Sequence, residues 1–172
     1  MRTAELILPV AKVVQTYAES LLKGIEPGIA ARKPVVSGTT IEINHPTFNY
    51  GHLSLYAGRA IALLGGDKNL AEVPENWEPL FKNGAPCQDD PSGTIYPAFP
   101  LVREHFLKGY GAALQFLSQV DNSAFEKPTT EERLVSRFPT VGTFAIHLLT
   151  SHINMHMGQI SGWRRCMGLG AA

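Results

Sequence analysis

The chain has little cysteine, little charge and no long apolar run, and each shortage excludes something. Two cysteines stand in 172 residues, Cys87 in a loop-like stretch and Cys166 near the end of the last predicted helix. Their spacing is neither a disulfide framework nor a CxxC site, so a reducing cytoplasm is the expected setting. No charge of either sign is in excess: 15 basic and 15 acidic residues leave no bulk field to draw nucleic acid or an acidic membrane surface. Charged residues make up 17% of the chain, below the usual share of about 25%, which predicts that some surface is covered by a partner subunit. No stretch approaches about 20 uninterrupted apolar residues, so no membrane span is expected. The segment Ala4 to Ile25 does not read as a signal peptide either, because Lys12, Gln15, Glu19 and Lys23 interrupt it at helical intervals. Internal repeats and low-complexity tracts are also lacking. A length of 172 residues suits one domain, residues 1–172, able to bury a core without staples.

What the chain does have is helical periodicity. The first predicted helix runs from about Thr3, a capping residue, to Lys23, with an apolar stripe of Leu6, Val10, Val13, Val14, Tyr17, Leu21 and Leu22, and Gly24 and Pro27 stop it. Residues 28–43, with prolines and β-branched side chains, read as an extended connection with a short strand. Asn44-His45-Pro46 then gives a polar cap and a first-turn proline for a second helix ending near Leu64, before Gly65-Gly66. Its stripe is Phe48, His52, Leu55, Arg59, Ala62 and Leu63. Gly51 and Gly58 flank that stripe and would let a neighbouring helix approach closely. Residues 67–92 form a long loop, with a short helix near Asn76 to Lys82, expected to cross over one end of the molecule. A third helix is predicted from about Tyr96 to Val120, with Phe99, Val102, Phe106, Tyr110, Ala113, Leu114 and Leu117 facing inwards. Residues 121–139 read as a polar loop, and a fourth helix as one run from Thr140 to Met167. Four amphipathic helices must bury their stripes against one another, which makes the fold class all-α and the architecture a four-helix bundle with long loops between helices 1 and 2 and between helices 2 and 3.

The fourth helix carries the lead to function. His152 and His156 are four apart, so at about 100° and 1.5 Å per residue their imidazoles share one face, about 40° and 6 Å apart. They lie on the apolar stripe Ala145, Leu148, Leu149, His152, His156, Gln159, Ile160, Trp163 and Met167, where two histidines must find partners or carry a desolvation cost. A shared divalent metal is one such partner; carbonyls or water are the other. A bundle core assembles metal sites from facing helices, and His52 is the candidate third ligand, with His105 on the third helix in reserve. Three neutral imidazoles with an open position suit zinc, nickel, iron or cobalt, and the lack of thiolate ligands argues against a closed structural zinc site. His147, about 140° from His152 on a continuous helix, is expected on the outer face or in a subunit contact. His45 could line the entrance to the site or cap the second helix. Gln159 and Asn49 join it as candidates to line the pocket or to hydrogen-bond a ligand. Arg164 and Arg165 fit a helix C-terminus, though either could also attract a carboxylate. Cys166, with no base nearby in sequence, is a poor nucleophile.

Asn44-His45-Pro46 with Gly51-His52-Leu53, and His152-x3-His156-x-Gly158-Gln159-Ile160 with Arg164-Arg165 and Gly168-Leu169, resemble the DinB family of metal-binding bundles over nearly the whole chain. The resemblance implies an up-down-down-up topology, frequent dimerisation and a three-histidine metal site whose ligand positions match His52, His152 and His156. Some relatives are transferases or isomerases using low-molecular-weight thiols such as mycothiol, bacillithiol or glutathione. The expected function is therefore a thiol-dependent S-transferase or isomerase acting on small electrophiles, with zinc or nickel as cofactor and a homodimer as the assembly. Metal-assisted hydrolysis, for which Glu104 is the carboxylate that could reach in, and a non-catalytic metal-binding role are the alternatives.

Overall fold

The computed structural model describes residues 1–170, and they are mostly helical. Helix α1 spans Thr3–Leu21, a β-hairpin of Val35–Val36 (β1) and Thr39–Thr40 (β2) follows, and α2 spans Pro46–Leu63. Next come two 3-10 turns, Lys68–Ala71 and Glu75–Trp77, then α3 (Glu78–Phe81) and α4 (Phe99–Leu117). Two short helices, α5 (Asn122–Glu126) and α6 (Glu132–Val135), precede α7 (Val141–Leu149) and α8 (Ser151–Cys166). The buried apolar side chains form one core cluster. Helix α2 packs against α4, α7 and α8, while α1 packs against α4 and α8.

Helix α2 is buried nearly all round, which places the histidine it carries inside the protein. Its start is built as the sequence suggests: Pro46 occupies the first turn, and His45 accepts a hydrogen bond from the Phe48 backbone N–H through Nδ1 (3.1 Å). The stripe predicted for α4, from Phe99 to Leu117, is buried throughout. The hairpin closes on Ser37 and Gly38, both at positive φ (51° and 79°), the mirror-image turn that matches strand twist.

Four expectations are corrected. The start of α1 is capped from Arg2, whose backbone N–H donates to Glu5 Oε2 (3.0 Å), and Thr3 lies inside the helix. The inward face of α1 is a seam of Ala4, Ile7, Ala11, Val14, Ala18 and Leu21, and most of the bulkier stripe points outwards: Leu6 is 57% exposed, Val10 54%, Val13 69% and Tyr17 40%. Both seams repeat at intervals of three and four, and the small alanines let α1 seat closely against its neighbours, so the smaller seam faces the core. The stretch 121–139 is not simply loop, since α5 anchors it through buried Phe125. The fourth predicted helix is broken at Thr150 (φ −131°, ψ −87°), whose hydroxyl donates to the Ile146 carbonyl (2.7 Å) and so competes with the helical ladder.

The long connection after α2 lies along α2 and α4, and its helical pieces bury Trp77 and Phe81. Gly51 and Gly58 do admit a close approach, but of this connection. A Cβ on Gly51 would stand 2.5 Å from the Phe81 ring, and one on Gly58 2.9 Å from the Lys68 carbonyl oxygen. No described helix is long and apolar enough to cross a membrane.

Candidate metal centre

Helix α2 contributes His52 and α8 contributes His152 and His156, and one ring nitrogen of each lies within 4.8 Å of those of the other two. The outer hydrogen bonds fix which nitrogens face inwards. His52 Nδ1 sits 2.6 Å from the Phe81 carbonyl oxygen, which only accepts, so Nδ1 carries the proton and Nε2 is bare. Asn49 Nδ2 donates to the Asn44 carbonyl (3.0 Å), which turns Asn49 Oδ1 towards His156; His156 Nδ1–H donates to it at 2.8 Å, again leaving Nε2 bare. Both bare nitrogens lie 3.3 Å from His152 Nε2. A proton on His152 Nε2 can serve only one of them, and His152 Nδ1 is itself buried without a partner. Lone pairs converging in this way suit a cation. For ligand bonds of about 2.0–2.1 Å in tetrahedral geometry, ligand nitrogens stand about 3.3–3.4 Å apart, the spacing seen here for two of the three pairs. The donor set therefore fits a divalent transition metal.

Burial keeps these imidazoles neutral. It is the largest cause in each case, lowering His152 to about 3, with His156, His52 and His147 adding repulsion. His156 is lowered to about 4, and His52 is lowered against the raising effect of its bond to Phe81. Neutral imidazole is the form that ligates a metal.

The cluster forms part of the lining of a cavity of about 630 Å³. The sequence-derived candidates divide around it. Asn49 is buried and orients His156. Gln159 is not among the cavity-lining residues, but it stands behind them: it accepts from Asn44 Nδ2 (3.2 Å), bracing the entry to α2, and its side chain also reaches His156. His45 is fully buried as the cap of α2, with Nε2 donating to the Gln88 carbonyl (2.9 Å), and is not a cavity residue. His105 lies outside the cluster, beside Trp77, at a separate cavity of about 360 Å³. Glu104 is exposed and does not line the site. Arg164 is buried and donates to the carbonyls of Leu21 (2.9 Å) and Lys23 (2.6 Å), closing the C-terminus of α1 instead of its own helix. Cys87 is raised to about 11 by burial, so its thiol stays protonated.

His147 is the principal misplacement. It lines the cavity, its ring 5.5 Å from that of His152 and its Nδ1 2.7 Å from Ser151 Oγ. The break at Thr150 removes the angular relation on which an outward position rested. Tyr56, with its ring 4.8 Å from those of His52 and His152, went unnoticed although it stands four residues after His52 on the same face. The cavity residues Lys82, Arg133, Arg137 and Phe138 come from connecting segments and carry no periodic signal. No family model matches the chain, and no curated protein matches it.

Proposed function

We propose that this protein is a DinB-like bundle of up-down-down-up topology, holding zinc or nickel through His52, His152 and His156 and acting as a thiol-dependent S-transferase or isomerase. The observation that carries the reading is the convergence of three Nε2 atoms, two pairs at 3.3 Å, at a cavity that admits a small molecule. A divalent ion held there supplies Lewis acidity and lowers the pKa of a thiol or water that reaches it.

The chain's own groups have definite tasks. The Phe81 carbonyl and Asn49 Oδ1 hold two rings in the ligating tautomer. Phe48, nearly parallel to His52, and Tyr56 flank the cluster with aromatic surface. In a transfer, the thiol sulfur forms a bond to the electrophilic carbon, the leaving group departs with its bonding pair, and the thiol proton goes to solvent. Hydrolysis is the weaker reading, since Glu78 is the one carboxylate among the described lining residues. The outer seam of α1 supports a homodimer: Leu6, Val10, Val13 and Tyr17 stand exposed among the described residues, and a dimer axis across this helix would bury both copies.

The test is elemental analysis of purified wild type beside His52→Ala, His105→Ala, His152→Ala and His156→Ala. Near one equivalent of metal is expected in wild type and His105→Ala, with loss in the other three while circular dichroism stays helical. Metal retained by His52→Ala but lost by His105→Ala refutes the ligand set. Metal-loaded protein that accelerates no reaction of any common low-molecular-weight thiol refutes the transferase reading, and a monomer by light scattering refutes the dimer.

A further inference from the structure

Among the described residues, four cationic side chains, Arg59, Lys82, Arg133 and Arg137, line the cavity beside the histidine cluster, against a single lining carboxylate, Glu78. Glu131 pairs with both Arg59 and Arg133 at this mouth. Counting Glu131 with Glu78 against the four cations leaves a surplus of two positive charges. The chain as a whole has none, with 15 charges of each sign, so the surplus is local to this cavity. A concave surface of one sign with low-dielectric walls raises the local concentration of counter-ions.

The four cations are not equivalent. Arg59 is engaged twice, by Glu131 and by the face of Phe144, whose ring centroid is 5.1 Å from the guanidinium carbon. Arg133 is engaged by Glu131. Arg137 and Lys82 pair with no carboxylate among the described residues. On the same lining the rings of Phe138 and Phe144 stack with centroids 4.9 Å apart and add an apolar wall. The seating of Glu131 between two arginines shows that this mouth accommodates a carboxylate, the planar anion that guanidinium groups match best.

We propose that the cavity's ligand is a small organic carboxylate, held by Arg137 and Lys82, with its hydrocarbon part against Phe138 and Phe144 and its reacting end towards His52, His152 and His156. This rests on the cavity being the active site of the proposed transferase. The carboxylate belongs either to the thiol or to the electrophile.

Calorimetric titrations separate these sources with two matched pairs of probes: 3-mercaptopropionate against 2-mercaptoethanol, and cinnamate against methyl cinnamate. Each is run on chelator-treated and on zinc-loaded protein, in wild type, Arg137→Gln and the Arg137→Gln/Lys82→Gln double variant. The carboxylate of at least one pair is expected to bind about tenfold or more tightly than its neutral partner, and the pair that shows this names the source. The preference should weaken as salt rises and fall by about tenfold in the double variant. Equal binding of acid and neutral probe in both pairs overturns the proposal, as does a preference that survives unchanged in the double variant. Because the metal-free protein is titrated too, a failure to take up metal sinks the functional reading while leaving this measurement decisive.

Discussion

Replacing Asn49 with Ala tests how the site is held, because Asn49 touches His156 without being a ligand candidate itself. Its amide donates to the Asn44 carbonyl (3.0 Å) and accepts from His156 Nδ1 (2.8 Å). The substitution frees the imidazole to rotate and leaves its N–H without an acceptor. Loss of such an outer partner lowers metal affinity by about 10- to 100-fold, or about 1.4–2.7 kcal/mol. Two hydrogen bonds at about 1 kcal/mol each put the loss of fold stability in the metal-free protein near 2 kcal/mol. Zinc affinity is read by competition with a chromogenic chelator, and stability by urea unfolding after chelator treatment. Asn49→Asp separates the two effects, since it restores the acceptor for His156 but not the donor to Asn44. It should recover metal affinity and leave stability low. Wild-type affinity in Asn49→Ala, or an Asp variant that binds no better than Ala, would refute the orienting role.

Gly51→Ala should destabilise the protein by about 1–3 kcal/mol and weaken metal binding, because the new Cβ meets the Phe81 ring at 2.5 Å and Phe81 supplies the carbonyl that orients His52. Gly111→Ala, with open space around its Cβ, is the control and should be neutral or stabilising in thermal melts. His45 is lowered to about 4, chiefly by burial. Protons therefore favour the unfolded chain, and the stabilisation is complete above about pH 6.5 and lost as pH falls from there towards 4. The gap is worth up to about 3 kcal/mol, and His45→Asn, which keeps a capping acceptor, should reduce the pH dependence of urea midpoints over that window by about this amount, leaving the share that belongs to His52, His152 and His156. With His152 lowered to about 3 and His156 to about 4, protons compete with the metal only in strong acid. His52 is lowered too, so zinc affinity should fall far less between pH 7 and 5 than the ten-thousandfold or so that three ordinary imidazoles would lose. A steep loss across that range would mean that the rings are not desolvated as described.

Local rules made much of this protein legible in advance. The cap and first-turn proline of α2, the glycine stop after it, the inward stripe of α4 and the pairing of His152 with His156 all depend on neighbours within about a turn, and residues that close constrain one another whatever surrounds them. Three things did not follow from spacing. On α1 two seams have equally good periodicity, and only the partners waiting in the core select the one with alanines. On the last helical segment the backbone breaks at Thr150, and every angle extrapolated across it, that of His147 above all, is reset. The cavity wall is assembled from segments such as 133–138, whose cations have no period to reveal them and meet the histidines only because the chain folds back. The sequence by itself determined where the long helical stretches lie and which imidazoles could share an ion. The tertiary structure decided which lone pairs face one another and which charges overlook them, because tautomer, burial and field are set by groups distant in the chain.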